Sequence, residues 1–99
     1  MHARLLTMQV KPERIDEAVR IFAEEVAPGC RAQAGFRGAY FLVDRKLGEC
    51  LPITLWETEA DMIATEENRF FQNQLMRFLG LFHHGLVREA YEVTFSERV

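Results

Sequence analysis

Residues 35–61, GFRGAYFLVDRKLGECLPITLWETEAD, decide how this chain folds. Two apolar runs, 36–44 and 50–56, flank Asp44-Arg45-Lys46-Leu47-Gly48-Glu49, a hairpin turn with Gly48 at the positive-φ position. If Asp44 pairs with Glu49, cross-strand partners share a face. Tyr40 and Leu42, with Phe36 by alternation, then join Leu51, Ile53 and Leu55. Arg37, Ala39, Phe41 and Val43 join Cys50, Pro52, Thr54 and Trp56 on the other side. Pro52 cannot donate a ladder bond, which predicts an edge position or a bulge nearby. After Trp56, the single tryptophan, Thr58-Glu59-Ala60-Asp61 resembles a capping box and predicts a helix start.

Residues 3–10, upstream, alternate as a strand, with Leu6, Met8 and Val10 on one face and Leu5, Thr7 and Gln9 on the other. Pro12 fits a first helical turn, and Ile15, Ala18, Val19, Phe22 and Val26 form one helical stripe. Asp16 and Arg20 are spaced to pair, and Ala27-Pro28-Gly29 predicts the helix end. Beyond Thr58, the pattern predicts Ala60, Ile63 and Ala64 inward and a kink at Glu66-Glu67-Asn68. A stripe of Phe71, Leu75, Phe78, Leu79 and Phe82 follows, closed by His83-His84-Gly85. Residues 86–95 read as a last strand, with Val87, Tyr91, Val93 and Phe95 on one face.

This order predicts one domain over 1–99 of the α+β class: a ferredoxin-like βαββαβ antiparallel sheet with both helices on one face. The middle strands are apolar on both faces, yet helices cover only one. A second copy packed sheet against sheet resolves this, so the pattern predicts a homodimer through the sheet face.

Twelve basic and fifteen acidic residues give a net charge of -3 with no basic run, which argues against a nucleic-acid partner. No apolar run approaches the ~20 residues of a membrane helix. The N-terminal residues show no signal-peptide pattern. Cys30 and Cys50 lack CxxC spacing and read as reduced packing thiols, so the expected location is cytoplasmic. Neither HxH nor HExxH is present, so no metal site is expected. The absence of GxGxxG, GxxxxGK[ST] and GxSxG argues against the nucleotide, flavin and hydrolase sites built on them.

The stretch GFRGAYFLVDRKLGECLPITLWETEADMIA, with the Tyr91-Glu92-Val93 ending, resembles the antibiotic biosynthesis monooxygenase-like domains of the dimeric α/β-barrel superfamily. The resemblance implies a cofactor-independent monooxygenase acting on an aromatic phenol, quinol or polyketide-like molecule, the substrate itself supplying the electrons. The alternative is a non-catalytic dimeric barrel domain that binds an apolar ligand or serves as an interaction module. In relatives that oxidise polyketides, a tryptophan at the place of Trp56 lines a cavity between sheet and helices. Trp56 is therefore the catalytic candidate, stacking on a planar substrate and donating its indole N–H to an oxygen. Where those relatives carry an asparagine and a tyrosine, this chain has Pro52 and Met62. The iron-binding histidine of haem-degrading relatives corresponds to Glu66, which argues against haem degradation.

Substrate-binding candidates are Arg77 and Arg69, able to hold a carboxylate or phenolate, and Phe71, Leu75 and Phe78 as an apolar floor. Set against these is the plainer reading of a solvated face and ordinary core. Tyr40 could hydrogen-bond a phenolate, but the register puts it on the sheet face opposite Trp56. His83 and His84 point in different directions from a helix end and make no chelate.

Overall fold

The computed structural model describes residues 1–82 and 86–99. Strand β1 (His2–Gln9) leads into a continuous helical run, 12–31, which includes α1 (Ile15–Ile21) and α2 (Ala27–Arg31). Then come β2 (Phe36–Asp44), β3 (Glu49–Trp56), α3 (Glu59–Glu67), α4 (Phe70–Met76) and β4 (Val87–Glu92). The strands form one antiparallel sheet in the order β2-β3-β1-β4, the ferredoxin-like arrangement. The core lies between the sheet and the helices: Met8, Val10 and Cys50 from the sheet meet Ile15, Ala18, Phe22, Val26 and Cys30, closed by Phe78 and Leu81.

The hairpin forms in the expected register. Asp44 opposes Glu49, Gly48 adopts φ 71°, and the Asp44 carboxylate accepts the Lys46 and Leu47 N–H groups. The Thr58 hydroxyl caps α3 by accepting the Asp61 N–H at 3.0 Å. A break in the helix falls where the kink was expected: Asn68 ends α3, and Arg69 takes a left-handed conformation before α4.

Several expectations are corrected. The first helical run does not stop at Pro28 but continues to Arg31. A π-turn over Phe22–Val26 sends the Ala27 N–H to the Phe22 carbonyl, so Pro28 enters the opening turn of α2, where its missing N–H is not needed. Gly29 ends nothing; a Cβ there would press on the Phe70 ring. Asp16 pairs with Arg45 at 2.9 Å and Arg20 with Glu24, across one helical turn.

A bulge between Phe36 and Gly38 moves Phe36 off the Tyr40 face and opposite Trp56, with ring centroids 5.5 Å apart. Pro52 is not at an edge: β3 lies between β2 and β1. The β1–β3 ladder instead passes from Leu5↔Ile53 to Met8↔Cys50, leaving Leu6 and Thr7 unpaired around the proline.

Helix α3 is rotated from its expected facing. Ala60, Ile63 and Ala64 are exposed, and Met62 and Thr65 point inward. The cause is Arg4 on β1, only 4% exposed, whose guanidinium needs polar partners from that helix. Helix α4 ends at Met76, and tight turns carry the chain to Leu81. Phe71 and Phe78 are buried as expected, but Leu79 is exposed and Leu81 takes the inner place. Strand β4 ends at Glu92, short of Phe95, which is 79% exposed. His83 and His84 lie outside the described residues.

Gly35 holds the entry to β2 at φ 80°, and a Cβ there would collide with the Asp61 carboxylate. Gly35→Ala is expected to lower stability in urea unfolding by more than about 1 kcal/mol. Gly80→Ala, where a Cβ meets nothing within 4 Å, should stay within about 0.5 kcal/mol.

Candidate functional site

A cavity of about 40 Å³ lies between the sheet and the helices. That is room for roughly two or three water molecules. Its sheet wall follows from strand alternation: Arg4 and Leu6 of β1 and Pro52, Thr54 and Trp56 of β3 all project to the helix side. Phe22, Val26 and Cys30 come from the first helical run. The α4 region supplies the remaining wall: Phe70, Phe71, Gln74, Leu75 and Phe78.

Trp56, 1% exposed, is fixed at the strand–helix junction by the edge of Phe36. Its indole N–H donates to Thr54 Oγ1 at 3.0 Å, so the hydrogen expected to serve a ligand is already taken by the protein. Phe71, Leu75 and Phe78 join Trp56 around one cavity. Arg69 and Arg77 are not part of that wall. Arg69 marks the exposed break before α4, and Arg77 is tied outside by Glu25 at 2.6 Å and Gln74 at 2.9 Å. Tyr40 is 61% exposed on the opposite sheet face, away from Trp56.

The cation on the cavity wall is Arg4, which sequence reasoning passed over. Its Nη1 donates to Thr65 Oγ1 at 3.1 Å. Its Nη2 donates to the Met62 carbonyl and to Glu66, each at 2.9 Å. Its guanidinium stacks 4.1 Å from the Phe71 ring centroid. Burial pulls its pKa down, opposed by the hydrogen bond and charge of Glu66. Glu66 also accepts from Arg88 at 3.0 Å, so this position serves a charge network. The signal for Arg4 was available: it is in phase with Leu6, Met8 and Val10. Thr54 was likewise legible as a face-mate of Trp56. Among the described residues, no three His, Cys, Asp or Glu side chains converge as metal ligands.

Burial pushes the Cys30 thiol up to about 11, against weaker pulls from Arg4 and Arg31. Burial also raises Cys50. Both are neutral thiols near pH 7. The unfolded chain loses the Cys30 proton near pH 9 and the folded chain holds it to about 11. The stabilisation is therefore complete below pH 9 and lost as pH rises through that window. The loss is about 2–3 kcal/mol. Cys30→Ala should flatten this alkaline fall in denaturant midpoint, and native protein at pH 7 should resist iodoacetamide.

Comparison with known proteins agrees with this architecture. The sequence profile described as antibiotic biosynthesis monooxygenase matches residues 1–73. Two Mycobacterium tuberculosis proteins, both described as uncharacterized, are similar over 67 residues: Rv2557 at 34% identity and Rv2558 at 31%. The match takes in 68% of this chain but only 30% and 28% of theirs, so the chain spans less than a third of the curated relatives' length. Among solved structures, a Streptomyces coelicolor monooxygenase from the gene ActVA-Orf6, in complex with Nanaomycin D, superposes with a TM-score of 0.79. The identity is 14%, over 99% of this chain and 91% of that one. SnoaB, a cofactor-independent oxygenase from Streptomyces nogalater, gives 0.74 at 14% identity over 96% and 94%. The structural likeness shows the shared fold, and the profile match over most of its length shows that the chain belongs to the antibiotic biosynthesis monooxygenase family.

Proposed function

We propose that this chain is a cofactor-independent monooxygenase of a small aromatic phenol, quinol or polyketide-like molecule, bound in the cavity beside Trp56. The observation that carries this reading is the cavity itself: an apolar chamber between sheet and helices, walled by an indole and holding one buried cation. In such chemistry an ionised phenol or enol gives its electrons to dioxygen. One oxygen atom ends in the substrate as a carbonyl, displacing two hydrogens, and the other leaves with them as water. The protein contributes a dry site and a fixed orientation. A cavity of about 40 Å³ is smaller than an aromatic ring, so binding such a substrate requires the cavity to widen.

One observation favours a second reading, a binding module without turnover. The Trp56 N–H is already donated within the protein, and among the described residues Cys30, a neutral thiol, is the cavity's one ionisable group besides Arg4. Titration with quinols, anthrones and flavonoid-like phenols, following Trp56 emission, separates these readings. Saturable quenching with substrate-dependent oxygen uptake supports the oxygenase. Saturable quenching without uptake supports the module, and no response across the panel removes both.

The functional unit we propose is a homodimer closed through the sheet face that the helices leave bare. Tyr40, Leu42, Val87 and Tyr91 are exposed on that face, in rows with half-buried Leu5, Ile53 and Leu55. So many apolar side chains on one surface of a small domain call for a partner. The native mass should be twice the 11.5 kDa chain mass. Leu42→Glu should shift it to the chain mass; a wild-type monomer at micromolar concentration would overturn the pairing.

A further inference from the structure

We propose that Arg4 and Thr54 form an oxyanion site on the cavity wall, taking the ionised oxygen of a planar phenol or enol. The proposal deepens the aromatic-ligand reading and rests on it.

Arg4 and Thr54 are direct partners across the β1–β3 ladder. Opposed residues of an antiparallel pair lie about 4.5–5.5 Å apart and share a face. Both side chains line the cavity. Thr54 Oγ1 accepts the Trp56 indole hydrogen, which turns its own O–H away from the indole. Among the described residues no protein group accepts that O–H. A hydroxyl that accepts one hydrogen bond is polarised toward donating another. Trp56 thus acts through Thr54 as a positioning residue, and Thr54 touches the ligand. Pro52, two residues earlier on the same face, has no side-chain donor to offer.

Arg4 has donors to spare. Both Nη2 hydrogens are spent, on Met62 and Glu66, and one Nη1 hydrogen goes to Thr65. The Nε hydrogen and the other Nη1 hydrogen find no acceptor among the described residues. Glu66 bridges Arg4 and Arg88, and Glu59 and Glu89 line the same recess, so the anion is held by the spare Arg4 hydrogens and not by a net positive cluster. Cys30, the other ionisable group among the described residues of the wall, adds no negative charge near neutral pH. Leu6, Phe22, Val26 and Phe71 offer the ligand oxygen no polar contact, and the Gln74 amide, whose oxygen accepts from Arg77, is the other polar group on the described wall.

The test uses two small probes on the full chain: 4-nitrophenol above its ionisation pH, and nitrobenzene, which has the ring and no oxyanion. Titration calorimetry should show the phenolate bound about tenfold more tightly than nitrobenzene. The bound phenol's own ionisation, followed by absorbance, should move down by about one unit. Thr54→Val should cut the preference about threefold, Arg4 still attracting the anion, and Thr54→Ser should restore it. Equal binding of the two probes by wild type, or a preference that Thr54→Val does not reduce, would overturn the oxyanion site and leave the aromatic cavity standing. Uptake of neither probe would refute the cavity reading and the oxyanion site with it. If Thr54→Val does not fold, Thr54→Ala serves the same comparison.

Discussion

The buried guanidinium of Arg4 is the constraint around which the helix side of the molecule is arranged. A charge at this depth is tolerated only with partners, and removing one partner from such a group typically costs about 3–5 kcal/mol. Arg4 obtains its partners from a single stretch of α3: the Met62 carbonyl, the Thr65 hydroxyl and the Glu66 carboxylate. The Thr65 hydroxyl in turn donates to the Met62 carbonyl at 2.6 Å, which locks the rotation of that turn. Phe71, at the start of α4, lies under the Arg4 guanidinium and within 5.3 Å of Arg88. The placement of α4, and with it most of one cavity wall, therefore descends from one strand residue.

A second constraint works at the other end of the cavity. The bulge at Phe36/Gly38 inserts Arg37 without a ladder partner and turns Phe36 toward Trp56. The indole is then held by an aromatic edge on one side and by the Thr54 hydroxyl on the other. Gly35 supplies the tight entry that makes room for this, and its carbonyl accepts the Glu57 N–H at 2.7 Å as β3 hands over to α3. The tryptophan is a rigid wall because the hairpin's irregular start is built around it.

What could be read from the sequence follows from how local each cause is. Strand alternation, the Gly48 turn and the Thr58 cap are set by neighbours in the chain, and they gave the topology and the hairpin register. The facing of α3 depends on a partner more than fifty residues away, so Ala60, Ile63 and Ala64 were judged by hydropathy alone and turned out exposed. Pro28 was read as a stop because a π-turn, which rearranges the hydrogen bonds ahead of the proline, leaves no mark in periodicity. For the site, Trp56, Phe71, Leu75 and Phe78 converge. The charged candidates were sought on helix surfaces, and the cation on the cavity wall is instead a strand residue in phase with the core.

The alternation of β3 ties the two faces of the sheet together. Pro52, Thr54 and Trp56 look toward the helices, and Leu51, Ile53 and Leu55 look toward the face left bare. A one-residue slip of this strand would exchange the sets, placing Thr54 and Trp56 outside and emptying the cavity wall. The register is held by the Gly48 turn at one end, by the Phe36 bulge at the other, and by the β1 ladder along the middle, with only the Pro52 gap left open. Covering the bare face with a second copy would add another restraint on the same strand, from the side opposite the cavity. In that arrangement pairing through the sheet and the geometry at Thr54 and Trp56 are consequences of one register, which explains why a domain this small keeps both faces of its central strands apolar.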